Sequence, residues 1–177
     1  MGMIENQLSI IVGVVSDVPV HFVGDPGTGK SQVITKVAKW LDLEAFHLSL
    51  RQVDPVELGG IPYPSGDGYE LLPPRNVIGK NILLFLDELT CSTDDGFKAV
   101  LTVVSERRIG QYKFNGSVLA ASNPPEISGG QALPPALVRR FSHVMWETTP
   151  DDIASFFISG KSGNLLDGIL DPQQVAN

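Results

Sequence analysis

The chain has one cysteine, Cys91, and three histidines. A lone thiol makes no internal disulfide, which agrees with a reducing compartment, and one cysteine with three scattered histidines makes no zinc cluster. Basic residues are few as well, 13 against 20 acids, giving a formal net charge of −7 with no block of five or more lysines and arginines. The field as a whole repels nucleic acid, so a nucleic-acid partner stays open only through local contacts. Arg107-Arg108 and Arg139-Arg140 are the only arginine pairs. No apolar run approaches the roughly 18 residues of a membrane span, and the N-terminus has no basic start followed by an apolar stretch. We expect no membrane association and a cytoplasmic location. There is no internal repeat and no low-complexity segment. What remains is the composition of a globular protein, 42% hydrophobic and 19% charged over 177 residues. That length suits one α/β unit with a substantial core.

The rest of the chain is placed relative to eight residues, Gly24-Asp25-Pro26-Gly27-Thr28-Gly29-Lys30-Ser31. Glycine, four residues, then Gly-Lys-Ser is the phosphate-loop pattern, and it points to a nucleoside triphosphate. Gly24, Gly27 and Gly29 let the backbone curl with its N–H groups inward and no Cβ in the way. Lys30 adds a point charge. Ser31 opens a helix whose N-terminus faces the anion, and its hydroxyl can reach Mg²⁺. The flanks agree with the motif: Val18 to Val23 reads as a short buried strand, and Val33, Ile34, Val37, Ala38 and Leu41 recur at helical spacing.

Upstream, Leu8, Ile11, Val12 and Val15 fit a helix over Met3 to Val15. Downstream, Phe46, Leu48 and Leu50 alternate with His47 and Ser49 as a strand does, and His47 reads as an ordinary strand residue rather than a ligand. From Asp54 to Pro74 turn formers dominate, which predicts a long working loop or a short hairpin insertion, with Ile61, Tyr63, Tyr69 and Leu71 as its apolar anchors. Ile82 to Leu86 is a continuous apolar run, the signature of a central parallel strand, and it ends in Asp87-Glu88. Two acids there sit where open α/β sheets bind ligands: Asp87 is assigned to the metal and Glu88 to the attacking water. Ser92 and Asp95 have capping-box spacing before a helix carrying Phe97, Val100, Leu101 and Val104. Cys91 beside it is read as structural. Ile109 to Phe114 followed by Asn115-Gly116 predicts a hairpin turning at Asn-Gly. Val118 to Ala121 then forms a strand delivering Ser122 and Asn123 to the same edge as Asp87, where an amide can hold a water or a phosphate oxygen. Ala136 to Phe141 reads as a short helix with proline at its start, His143 to Glu147 as a last strand with Trp146 packing, and Ile153, Phe156 and Phe157 as a further helical turn or two.

Taken together, GDPGTGKS, ILLFLDE, AASNPPE and LPPALVRRF, in this order and spacing, resemble the AAA+ ATPases, and within them the MoxR-like branch. The resemblance covers roughly Pro19 to Trp146. It implies a three-layer α/β/α sandwich on a central, mostly parallel five-stranded sheet. It also implies an ATPase that binds ATP with Mg²⁺ and hydrolyses it, forms a homo-oligomeric ring, expected to be a hexamer, and remodels or assembles a protein partner. Asp25, Pro26, Gly27, Thr28, Gly29, Lys30 and Ser31 match the nucleotide-binding loop, Ser31 and Asp87 the magnesium ligands, Glu88 the catalytic acid and Asn123 the first sensor. Arg140, directly before Phe141, matches the arginine finger supplied to a neighbour's site, with Arg139 adjoining it as the alternative. Residues 1–150 are expected to be the nucleotide-binding core and 151–177 a short tail in place of the family's helical lid. The rival reading is a nucleotide-gated binding or assembly module with little turnover.

Overall fold

Alternation along the buried strands sets the layers. Ile82, Leu84 and Leu86 join one core cluster with Phe97, Val100, Val103 and Val104, while Leu83 and Phe85 join a second with Ile10, Ile11, Val33, Ile34 and Val37. Successive side chains of a strand point to opposite faces, so a strand apolar at every position must be covered on both. The computed structural model, which describes residues 3–73, 81–152 and 154, does so with helices on each side of one sheet.

In chain order the elements are α1 (Met3–Val15), β1 (Val20–Val23), α2 (Lys30–Trp40), β2 (Glu44–Ser49), α3 (Pro55–Gly59), β3 (Ile61–Ser65), β4 (Gly68–Leu72) and β5 (Asn81–Asp87). A 3-10 turn (Leu89–Cys91) follows, then α4 (Asp94–Glu106), β6 (Arg108–Ile109), β7 (Tyr112–Lys113), β8 (Asn115–Ser122), α5 (Pro125–Ser128), α6 (Pro135–Val138) and β9 (Ser142–Met145). The main sheet has five strands in the order β2-β5-β8-β1-β9. Every pairing in it is parallel. Helices α1 and α2 cover one face and α4 the other. This is an α/β fold with a central parallel sheet, as the sequence predicts. Because β1 lies between β8 and β9, the chain direction across the sheet reverses beside it, and the segments leaving β1, β5 and β8 emerge along one edge, where such sheets hold ligands.

Three local expectations change. The hairpin after α4 turns at Gly110-Gln111, between β6 and β7, and Asn115-Gly116 instead opens β8. Gly116, at φ 141°, lies against the Ile82 carbonyl so closely that a Cβ would collide with it; the glycine serves strand approach rather than a turn. The cap of α4 is Thr93, whose hydroxyl accepts from Gly96 N at 3.1 Å, while Ser92 precedes it and lends its carbonyl to Gln131. Within the turn-rich segment, residues 54–73 hold α3 and a two-stranded antiparallel hairpin, β3 with β4, which is the hairpin insertion the sequence offers as one reading. Its supposed anchors mostly hold nothing: Ile61, Tyr63 and Tyr69 are 56%, 60% and 67% exposed, because the hairpin stands off the sheet. Only Leu71 packs, near Gly60 and Gly110. The helical turn expected around Phe156 and Phe157 lies outside the described residues. No helix among the described residues is long and apolar enough to cross a membrane.

Candidate functional site

Strand β1 ends at Val23, and the loop that follows is held on three sides. Gly24 N donates to Ser122 O at 3.2 Å, and a Cβ on Gly24 would strike the Trp146 carbonyl, so the close approach to β9 requires glycine. The Trp146 indole packs edge-on against Phe22 and its Nε1 donates to Thr28 O at 3.3 Å. Trp146 therefore packs, as expected, and also ties down the loop. The Thr28 hydroxyl closes the turn by donating to Asp25 O at 2.7 Å. Asp25, Pro26 and Gly27 form its exposed outer side. Gly27 and Gly29 have φ of 75° and 82°, left-handed values costly for any residue with a Cβ. Gly29 caps α2 without a side chain, and the first turn of α2 carries no acid, so nothing competes there for the helix's unpaired N–H groups.

Lys30 starts α2 and is 7% exposed. Its ammonium donates to Gly24 O at 2.7 Å, Asp25 O at 2.8 Å and Asn123 Oδ1 at 2.9 Å. Burial lowers its pKa from the usual lysine value, against the opposing pull of Asp87 and Asp25. The next residue, Ser31, donates from Oγ to Asp87 Oδ2 at 2.7 Å. Lys30 with Asn123 and Ser31 with Asp87 thus form two neighbouring hydrogen-bonded pairs, drawn from α2, β5 and the end of β8.

Glu88 takes a left-handed backbone, φ 55°, at the exit of β5, a conformation that costs a non-glycine residue about 1 kcal/mol or more. This bend turns the carboxylate towards β2. There Glu88 Oε2 accepts from Ser49 Oγ at 2.7 Å, and Oε1 pairs with Arg51 Nε at 3.4 Å. Arg51 also donates to Cys91 Sγ and to Ser128 O, so Cys91 is part of the bracing of this corner. His47 is a strand residue, as expected, and something more: its Nε2 lies 3.0 Å from Asp87 Oδ2 while its ring stacks on Phe85. Sequence reasoning passed over His47, Ser49 and Arg51 as neighbours of the acids. Their only signal is register, since Ser49 pairs with Asp87 and His47 with Phe85 across β2 and β5.

Arg139 and Arg140 stand apart from this group. They follow α6, both are exposed, and among the described residues neither guanidinium has a hydrogen bond or an ion pair.

The donor set fits a magnesium ion that arrives with phosphates. Among the described residues no three His, Cys, Asp or Glu side chains gather as a metal cage. One hydroxyl beside one carboxylate is what Mg²⁺ uses when phosphate oxygens and water complete its shell.

Residues 19–141 match the AAA domain family, dynein-related subfamily. Among solved structures, the chain is similar to the crystal structure of a protein from Cytophaga hutchinsonii described as a "putative ATPase", with 23% identity and a TM-score of 0.67 over 98% of this chain. The likeness is one of fold, and the chain spans 55% of the length of that structure. With the family match covering the strand-loop-helix frame, the acid pair and the arginines alike, the chain belongs to the AAA domains, in their dynein-related subfamily.

Proposed function

We propose that this AAA domain is a Mg²⁺-dependent ATPase of MoxR-like type, acting in the cytoplasm as a ring, a hexamer, that spends ATP turnover on remodelling or assembling a protein partner. The observation that carries the reading is the convergence of Lys30, Ser31, Asp87, Glu88 and Asn123 at the ends of β1, β5 and β8. In this reading the loop Asp25 to Gly29 wraps the phosphates with its backbone. Lys30 and Asn123 meet the terminal phosphate, Lys30 giving up at least one of its present oxygen partners to do so. Ser31 and Asp87 hold the magnesium, which neutralises charge on the phosphate oxygens when bound. Glu88 orients and deprotonates the attacking water, and Arg140, or Arg139 beside it, reaches the phosphate of a neighbouring subunit. Residues 1–150 serve as the nucleotide-binding core, with 151–177 as its tail.

One observation favours a second reading. The Glu88 carboxylate is engaged by Ser49 and Arg51, an arrangement that also suits a domain that binds nucleotide as an assembly signal and turns it over little. Steady-state phosphate release separates the two. Turnover that needs Mg²⁺ and falls by roughly 100-fold or more in Glu88→Gln, with ATP still bound, is the expected result for the ATPase. Release no faster than buffer from the unaltered protein establishes the binding module instead.

A further inference from the structure

Behind the nucleotide edge runs a line of polar side chains that none of these roles uses. His21, on β1, is 2% exposed, and an imidazole buried between strands is costly unless both its nitrogens are bonded. Both are. His21 Nε2 lies 2.8 Å from Ser122 Oγ on β8, and Nδ1 lies 3.1 Å from His143 Nδ1 on β9. His143 Nε2 in turn lies 2.9 Å from the Val138 carbonyl. With both rings neutral, the directions follow from the far end. A carbonyl only accepts, so His143 Nε2 carries the proton; His143 Nδ1 then accepts from His21 Nδ1, and His21 Nε2 accepts from the Ser122 hydroxyl. Burial and then His143 push the pKa of His21 down to about 3, which keeps it the neutral ring, one donor and one acceptor, that this line requires.

The two ends are what give the line a use. Ser122 directly precedes Asn123, the residue bonded to Lys30, and its carbonyl holds Gly24 N. Val138 directly precedes Arg139 and Arg140. On the other side of the arginines, Phe141 is buried and its ring lies 5.9 Å from that of His21. The two exposed arginines are therefore bracketed by residues that rest on the same pair of imidazoles. Apolar packing alone would hold β8, β1 and β9 together, but hydrogen bonds of fixed direction also set the orientation of the corner.

We propose that Ser122, His21 and His143 are positioning residues that couple the nucleotide-facing end of β8 to the arginine corner, so that the placement of Asn123 sets the reach of Arg139 and Arg140. The coupling rests on the roles given above to Asn123 and Arg140. His143→Ala tests it at an exposed position, and Ser122→Ala breaks the same line from its other end. Phosphate release should show kcat lowered roughly five- to tenfold in each, the size of one lost hydrogen bond, while calorimetric titration shows ATP affinity unchanged. Because the line acts through the arginine, His143→Ala added to Arg140→Ala should lower kcat no further. Unaltered kcat in both single variants overturns the coupling. So do losses that multiply with that of Arg140→Ala, since a general loss of stability behaves that way. Where Arg140→Ala is itself silent, the arginine assignment has failed, and the coupling falls with it.

Discussion

Lys30 has three N–H groups and three oxygens that take them, one of which belongs to a side chain more than ninety positions away. A phosphate arriving at this ammonium exchanges neutral acceptors for a charged one, the stronger kind of hydrogen bond. Lys30→Ala should accordingly weaken ATP binding about 10- to 100-fold in calorimetric titration, and unchanged affinity in the folded variant would remove the loop from the centre of the proposed function. His21 makes a different prediction at the same scale. Unfolded, its imidazole takes a proton near 6.5; folded, burial and His143 keep it neutral down to about 3. The unfolded state therefore binds the extra proton, and stability present above pH 6.5 is lost as pH falls towards 3, at up to about 1.4 kcal/mol per unit. Urea unfolding at pH 7 and pH 5 should show a smaller difference in His21→Gln than in the unaltered protein, by about 2 kcal/mol. An identical difference would place the acid sensitivity in other groups. Residues of this kind divide by how far their partners lie in sequence. Lys30 and Ser31 are readable because the loop and the helix that use them are contiguous with them. His21, His47, Ser49 and Arg51 acquire their neighbours only through strand register, which no local pattern encodes.

Among the elements, β3 and β4 differ most from what their residues promise. Tyrosines and an isoleucine in a glycine-rich stretch read as anchors, yet the hairpin they build presents them to solvent. Alternation fails as a guide here because, among the described residues, no helix packs across the ribbon to give it an inner and an outer face. At its base the hairpin meets β6–β7, through the Gly60 and Gly110 backbones and a bond from Gln111 N to Leu71 O at 3.4 Å. The side-chain bond at its tip is its own, from Ser65 Oγ to Glu70 Oε1 at 3.1 Å. Replacing Pro62 to Glu70 by a short glycine turn should leave ATP affinity unchanged and reduce engagement of a partner or of neighbouring copies, read as particle mass with ATP. A shortened protein that no longer folds would make the hairpin part of the core. The strand runs themselves are legible throughout, since Ile82 to Leu86 and Val118 to Ala121 are apolar at nearly every position and only a doubly covered sheet buries them. Asn115-Gly116 misleads for a physical reason. The features that make the pair favour a turn, glycine without a Cβ above all, equally suit a strand start pressed against its neighbour.

For the molecule as a whole, the arrangement is lopsided: the phosphate loop, the acids and Asn123 share one edge, whereas Arg139 and Arg140 follow α6 without a partner among the described residues. An arginine at such a flank serves catalysis only when another subunit brings its phosphate there. Its planar, permanently charged fork suits that task, and fingers of this kind raise rates by roughly 10³ to 10⁵ in other phosphate-loop enzymes. Arg140→Ala and Glu88→Gln should each hydrolyse ATP poorly alone and recover activity when mixed, because some interfaces then join an intact site to an intact arginine. No recovery in oligomers shown to be mixed would confine Arg140 to its own chain.

The parallel sheet also imposes an order in time. Val20 pairs with Leu119 on one side and with Ser142 on the other, and Trp146 clasps Thr28 from 118 residues away. A nascent chain that has emerged only as far as α4 holds every residue of the phosphate loop and both acids, but neither strand that flanks β1. Such distant pairings form late and slowly. The phosphate loop therefore waits for β9, and the capacity to grip a nucleotide becomes a signature that synthesis has passed Trp146.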